Sequence, residues 1–148
     1  MNEAKRYLLR LHTLDVRINQ LIEERNDLLL IATGNSSPRL DPNRVQTSGG
    51  GDVMARQVER YVDVEKKITR MIDKYVDLKH KMILEIQELP DDRHVQLLNL
   101  RYVKMLRFEE IAVTMGYSYD WVRHVHGDAL ESFGRMYGLN TRRHTKTH

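Results

Sequence analysis

Recognition chemistry in this sequence centres on Arg123, whose planar guanidinium can donate two parallel hydrogen bonds to the O6 and N7 of a guanine. Tyr119 precedes it by one helical turn and His124 follows it directly. At helical spacing Tyr119, Asp120, Arg123, His124 and Gly127 share one face, while Val122, Val125, Ala129 and Phe133 share the opposite one. A helix divided in this way buries its apolar side and offers the polar side to a major groove, N-terminal turn leading. Ser118 stands where the N-cap of such a helix belongs. Lys104, Arg107 and Arg135 fall around the unit and, with Arg142, Arg143 and Lys146 beyond it, supply cations for phosphates. The partner this chemistry implies is double-stranded DNA.

Catalysis has far less support. Of the seven histidines, His12, His80 and His94 fall on separate predicted helices, and His144 and His148 lie near the end of the sequence. His124 and His126 are two apart on a helix, so they point to different faces and cannot share a metal ion well. No HExxH, phosphate-binding glycine loop or nucleophile elbow occurs. There is no cysteine, which excludes a thiolate site and a disulfide framework. The expectation is a protein that is not an enzyme and takes no metal and no cofactor.

A reading helix must be held by a second helix that crosses it closely. Phe108 to Gly127 reads FEEIAVTMGYSYDWVRHVHG and meets the steric demands of a helix-turn-helix over its 20 residues. The fifth place must be small and is Ala112; the ninth must tolerate a left-handed backbone and is Gly116. The fourth, eighth, tenth, fifteenth and eighteenth places must be apolar to pack the pair, and they are Ile111, Met115, Tyr117, Val122 and Val125. Before this stretch, Pro90 with Asp91 and Asp92 behind it predicts a helix over 90–105, the acids facing the positive end of its dipole. That helix buries Val95, Leu98, Tyr102 and Met105.

The rest of the chain is helical in pattern. Ala4, Tyr7, Leu11, Leu14, Ile18, Leu21 and Leu28 follow an alternating three-four spacing broken only by Arg25, which predicts a helix, and the breakers Gly34, Asn35, Ser36, Ser37 and Pro38 place its end near Thr33. Residues 34–52 hold two prolines and Gly49, Gly50 and Gly51, and read as a connecting loop. A second helix over 53–89, about 55 Å long at 1.5 Å per residue, carries two apolar seams. One runs through Tyr61, Val64, Ile68, Met71, Tyr75, Leu78 and Met82. The other runs through Val58, Val62, Ile72, Val76, Ile83 and Ile86, interrupted by Glu65, Thr69 and Lys79. Two seams imply more than one neighbour. Self-association, a dimer first, is therefore expected through Leu11, Leu14, Ile18, Leu21, Tyr61, Ile68, Met71, Ile72, Tyr75 and Met82.

The fold class expected is all-α, with a helical hairpin or coiled-coil arm over 1–89, a helix-turn-helix domain over 90–138 and a basic tail over 139–148. Net charge is +3 and the pI about 9.2, a mild lean toward a polyanion. The lean is spread evenly: residues 1–89 hold 15 basic and 14 acidic side chains, residues 90–148 hold 9 and 7. No apolar run reaches the length of a membrane span, and the start MNEAKRYLLRLH is charged throughout, so a cytoplasmic protein without a membrane partner is expected.

Residues 97–133 resemble the promoter-reading C-terminal region of bacterial sigma factors. The resemblance rests on Leu98, Arg101 and Tyr102, on Glu109 to Ala112, on the Gly116 turn, on Val122 with Arg123, and on Ala129 with Leu130. With its heptad start, VQTSGGGD loop and LPDDR linker, the whole chain is similar to the small sigma-like proteins of Gram-positive phages and prophages, the ArpU-like and RinA-like late-gene regulators. That resemblance implies a transcription activator of phage late genes in a bacterial host cell, working with host RNA polymerase. The chain lacks the other sigma regions and so cannot replace a complete sigma factor. Two other readings stand beside it: a DNA-recognition protein like a phage terminase small subunit, and a coiled-coil adaptor that binds no DNA.

Overall fold

The computed structural model describes residues 2–34 and 50–139. Its elements are α1 (Glu3–Leu8), α2 (Arg10–Ala32), α3 (Gly50–Gln87), α4 (Asp92–Leu98), a π-helical turn (Asn99–Val103), α5 (Phe108–Met115) and α6 (Tyr119–Met136). The protein is all-helical, with no strand among the described residues. None of the described helices is long and apolar enough to cross a membrane. Most of the expected 34–52 loop and all but Leu139 of the expected tail, including Arg142, Arg143 and Lys146, lie outside the described residues.

Several boundaries differ from the sequence expectation, each for a local reason. The first helix is interrupted at Leu9, although Leu9 N–H still donates to Lys5 O and Thr13 N–H to Leu9 O. α3 starts at Gly50 rather than at residue 53, so Gly50, Gly51 and Asp52 are helical; Asp52 sits in the first turn, where the helix dipole favours an acid. Pro90 is not the first helical residue. Asp91 caps α4 instead, its carboxylate accepting from Arg93 N–H at 2.9 Å.

The expected helix over 90–105 also changes character after Leu98. Lys104 N–H donates to Asn99 O at 3.0 Å, a five-residue span wider than an α-helical turn. The wider turn fits the burial pattern, because Leu97 and Leu98 are followed five residues later by Tyr102 and Val103, all four buried. Arg101 is thereby released to donate to Leu106 O at 3.0 Å and to lie 4.3 Å from the Phe108 ring centroid. Met105, with φ 60°, turns the chain out of the helix in the left-handed region and stays half-buried, as does Val95. The helical spacing thus places Leu98 and Tyr102 in the core and leaves Val95 and Met105 at its edge.

The chain forms two compact units, residues 1–14 with 75–148, and residues 15–74. In the first, Ala4, Leu8 and Leu11 join Met82, Ile86 and Leu89, then Leu97, Leu98, Tyr102, Ile111, Val122, Ala129 and Phe133 in one core. Polar ties close its edge: the Tyr7 hydroxyl donates to Glu85 Oε1, and the Tyr137 hydroxyl donates to Glu85 O at 2.6 Å. Burial, then the hydrogen bond to Glu85, pushes the Tyr7 hydroxyl well above its ordinary pKa. In the second unit Ile18, Leu28 and Ile68 are buried. Arg25, which breaks the apolar seam of its own helix, pairs at 3.0 Å with Glu65, which breaks a seam of α3.

Candidate nucleic-acid interface

The candidate site is built on α5, the turn after it and α6. α5 starts with Glu110 reaching back to accept from Arg107 N–H at 3.3 Å and from Arg107 Nε at 2.8 Å. That pairing holds the Glu110 carboxyl below its usual range. α5 ends at Gly116, whose φ of 74° and ψ of 30° are left-handed and cheap only for glycine. Both Gly116 N–H and Tyr117 N–H donate to Ala112 O. The next helix begins at once, with Ser118 Oγ accepting from Trp121 N–H at 3.1 Å. Two helices joined over three residues hold a fixed angle, because both ends of the connection are capped.

α6 is sharply two-sided. Val122, Val125, His126, Ala129, Leu130, Phe133 and Gly134 are buried, whereas Tyr119, Asp120, Arg123, His124 and Gly127 are exposed. Arg123 lies over the Tyr119 ring, 5.8 Å from its centroid, which restricts the guanidinium's freedom before any ligand arrives. His124 Nε2 stands 3.9 Å from Asp128. Gly127 has neither a left-handed backbone nor a packing neighbour: a Cβ there would meet nothing within 4 Å. Glycine inside a helix costs about 1 kcal/mol relative to alanine, and nothing in the fold recovers that cost here.

The surrounding cations differ in availability. Lys104, at the end of the π-helical turn, and Arg135, in the last turn of α6, are exposed. Arg107 is also exposed, yet its guanidinium is engaged by Glu110. Tyr117 does not pack between α5 and α6 as its place in the motif predicts. It is 44% exposed and stacks on Trp121, ring centroids 3.8 Å apart, because the left-handed Gly116 turn carries it outside the helix pair. Met115 is half-buried, and Ile111, Ala112, Val122 and Val125 lie in the core.

His126 is the feature that sequence reasoning missed. Its Nε2 is 2.7 Å from the Tyr102 hydroxyl, and Phe108 meets the imidazole edge-on at 4.9 Å. Burial, with Arg101 and Lys5 adding to it, pushes its pKa down to about 4. The pair ties the π-helical turn to α6. Its spacing from Val122 and Leu130 was a usable signal, since all three share one helical face.

The residues expected to self-associate divide by burial. Leu11 and Met82 are spent on the core of the first unit, and Ile18 and Ile68 are buried in the second. Leu14, Leu21, Tyr61, Met71 and Tyr75 are half-buried, and Ile72 is exposed. Val58 and Val62 on the same helix are exposed as well. No protein-family model matches this chain, and neither a curated protein nor a solved structure matches it.

Proposed function

We propose that this chain is a sequence-specific double-stranded DNA-binding protein that regulates transcription, with α5 and α6 acting as a helix-turn-helix and α6 as the reading helix. One observation carries the reading: the outward face of α6 gathers Tyr119, Asp120, Arg123, His124 and Gly127, while its inward face is locked into the core. Arg123 donates to a guanine edge, Tyr119 and His124 flank it, and Ser118 orients the first turn. Lys104 and Arg135 meet phosphates, which position the helix without specifying sequence. Arg107 contributes less, because its guanidinium is already engaged by Glu110. The chain is a recognition module and carries out no bond chemistry.

The resemblance to phage sigma-like late-gene regulators gives this reading its biological form, an activator working with RNA polymerase in the cytoplasm of a bacterial host. A second copy of the chain is the natural neighbour for Val58, Val62 and Ile72 on α3, since an exposed apolar stripe gains by leaving water. A dimer would bring two reading helices to two half-sites.

A second reading, an oligomerising adaptor without DNA binding, draws on the charge of α6. Asp120, Asp128 and Glu131 oppose Arg123 and Arg135 on its exposed positions, so its electrostatic pull on phosphates is weak. Selection of the purified chain against random duplex DNA at two salt concentrations separates the readings. DNA reading predicts an enriched motif and a loss of about 1–3 kcal/mol in Arg123→Ala with helicity unchanged. No enrichment and no binding at either salt concentration would leave the adaptor.

A further inference from the structure

Two glycines sit seven residues apart in α6 and differ in what surrounds them. Gly134 is buried on the helix's packed side. Gly127 is exposed, has an ordinary helical backbone and faces open space where a Cβ would stand. Every conformational and packing reason for glycine is therefore missing at 127, while its helix-weakening effect remains. It lies one turn beyond Arg123 on the same face, and Asp128 and Glu131 follow it.

A major groove about 12 Å wide takes a helix whose own diameter with side chains is about 10–12 Å, so side-chain size on the leading face sets how deeply the helix sits. If Arg123 reaches a base edge from the second turn of α6, a wall of the groove must pass close to the following turn, where Gly127 leaves the exposed helix surface bare and Asp128 and Glu131 come next. We infer that Gly127 is where that wall passes against the bare backbone of α6, so that glycine is kept for depth of seating at the cost of helix stability. The inference rests on the DNA-binding reading above and adds a positioning residue that itself donates no side-chain contact.

The test is a pair of alanine substitutions with opposite consequences for binding. Gly127→Ala and Gly51→Ala both place a methyl in open space on a helix; Gly127→Ala, in a helix interior, should raise the thermal midpoint by about 2–6 °C, and Gly51→Ala, in a first turn, should raise it less. Fluorescence anisotropy on the duplex enriched by the unaltered chain should show Gly127→Ala binding about tenfold more weakly, a loss equal to about 1.4 kcal/mol. Gly127→Leu should lose binding further, and Gly51→Ala should bind as the unaltered chain does. Equal or tighter binding by Gly127→Ala overturns the inference while leaving DNA recognition in place. A lower thermal midpoint for Gly127→Ala also overturns it, because the site would then have a packing demand. Failure of the unaltered chain to bind any duplex removes the DNA-binding reading and this inference together.

Discussion

The two compact units use the same kind of helix to different ends. In the unit formed by residues 1–14 and 75–148, helices meet from several directions, and Leu8, Leu11, Met82, Ile86, Leu97, Leu98, Ile111, Val122 and Phe133 are completely or almost completely enclosed. Among the described residues of the 15–74 unit, burial is limited to Ile18, Leu28 and Ile68, while Val16, Leu29, Leu30, Ile31, Val53, Met54, Val58, Val62 and Ile72 remain exposed. A helix with one neighbour can cover one stripe, so an apolar content sufficient for a core elsewhere becomes surface here. The first unit encloses its core on several sides, and the second leaves an apolar face uncovered.

The largest effect should come from emptying the enclosed core. Phe133→Ala removes a side chain touched by the Tyr7 and Tyr137 rings and should cost about 3–5 kcal/mol, enough to threaten folding. Leu28→Ala, at 8% exposure in the thin unit, should cost about 2 kcal/mol, the lower end of its class, because solvent and neighbours can relax into the gap. Chemical denaturation of both variants measures the contrast, and equal losses would abolish it.

Acid should act on the enclosed unit through His126. Its folded-state pKa of about 4 is below the ordinary 6.5, so the unfolded chain binds a proton first as pH falls. Stability is full above pH 6.5 and declines between pH 6.5 and about 4, by up to about 3 kcal/mol. Denaturation midpoints measured across that window should fall with pH in the unaltered chain and lose most of the slope in His126→Gln. A slope that survives the substitution would assign the acid sensitivity to other groups.

The smallest effect on folding should come from Ile72→Asp, which changes an exposed position and should alter monomer stability by no more than about 0.5 kcal/mol. If α3 joins a second copy there, sedimentation should show the mass falling to that of one chain. The same substitution at Ile68 buries an unpaired charge and should disrupt the second unit itself. An unchanged mass for Ile72→Asp would remove this stripe from any assembly.

The features legible in the sequence are those set by neighbours within a turn or two. Apolar periodicity pointed to the two-sided character of α6 and the seam holding Ile68 and Met82, and the breakers from Gly34 to Pro38 to the end of α2 near Thr33. Gly116 and Ser118 announced the turn and the cap because only a residue without a Cβ, and then a hydroxyl acceptor, suit those backbone positions cheaply. The start of α3 at Gly50 was masked by glycine's reputation as a breaker, which is a preference that an exposed first turn easily overrides.

Tertiary packing decided the rest. A shift from α-helical to π-helical bonding at Asn99–Val103 follows from where two buried pairs must fall in a shared core, and helical periodicity carries no trace of it. The hydrogen bond of buried His126 with Tyr102 and the partly exposed pairing of Arg25 with Glu65 join residues far apart in the chain, and helical spacing names neither partner. Sequence by itself determined which elements form and which faces are apolar, since both depend on local backbone geometry and side-chain type. Which polar groups go inside, which apolar stripe stays bare and how the outward face of α6 is held depend on partners brought together from distant parts of the chain.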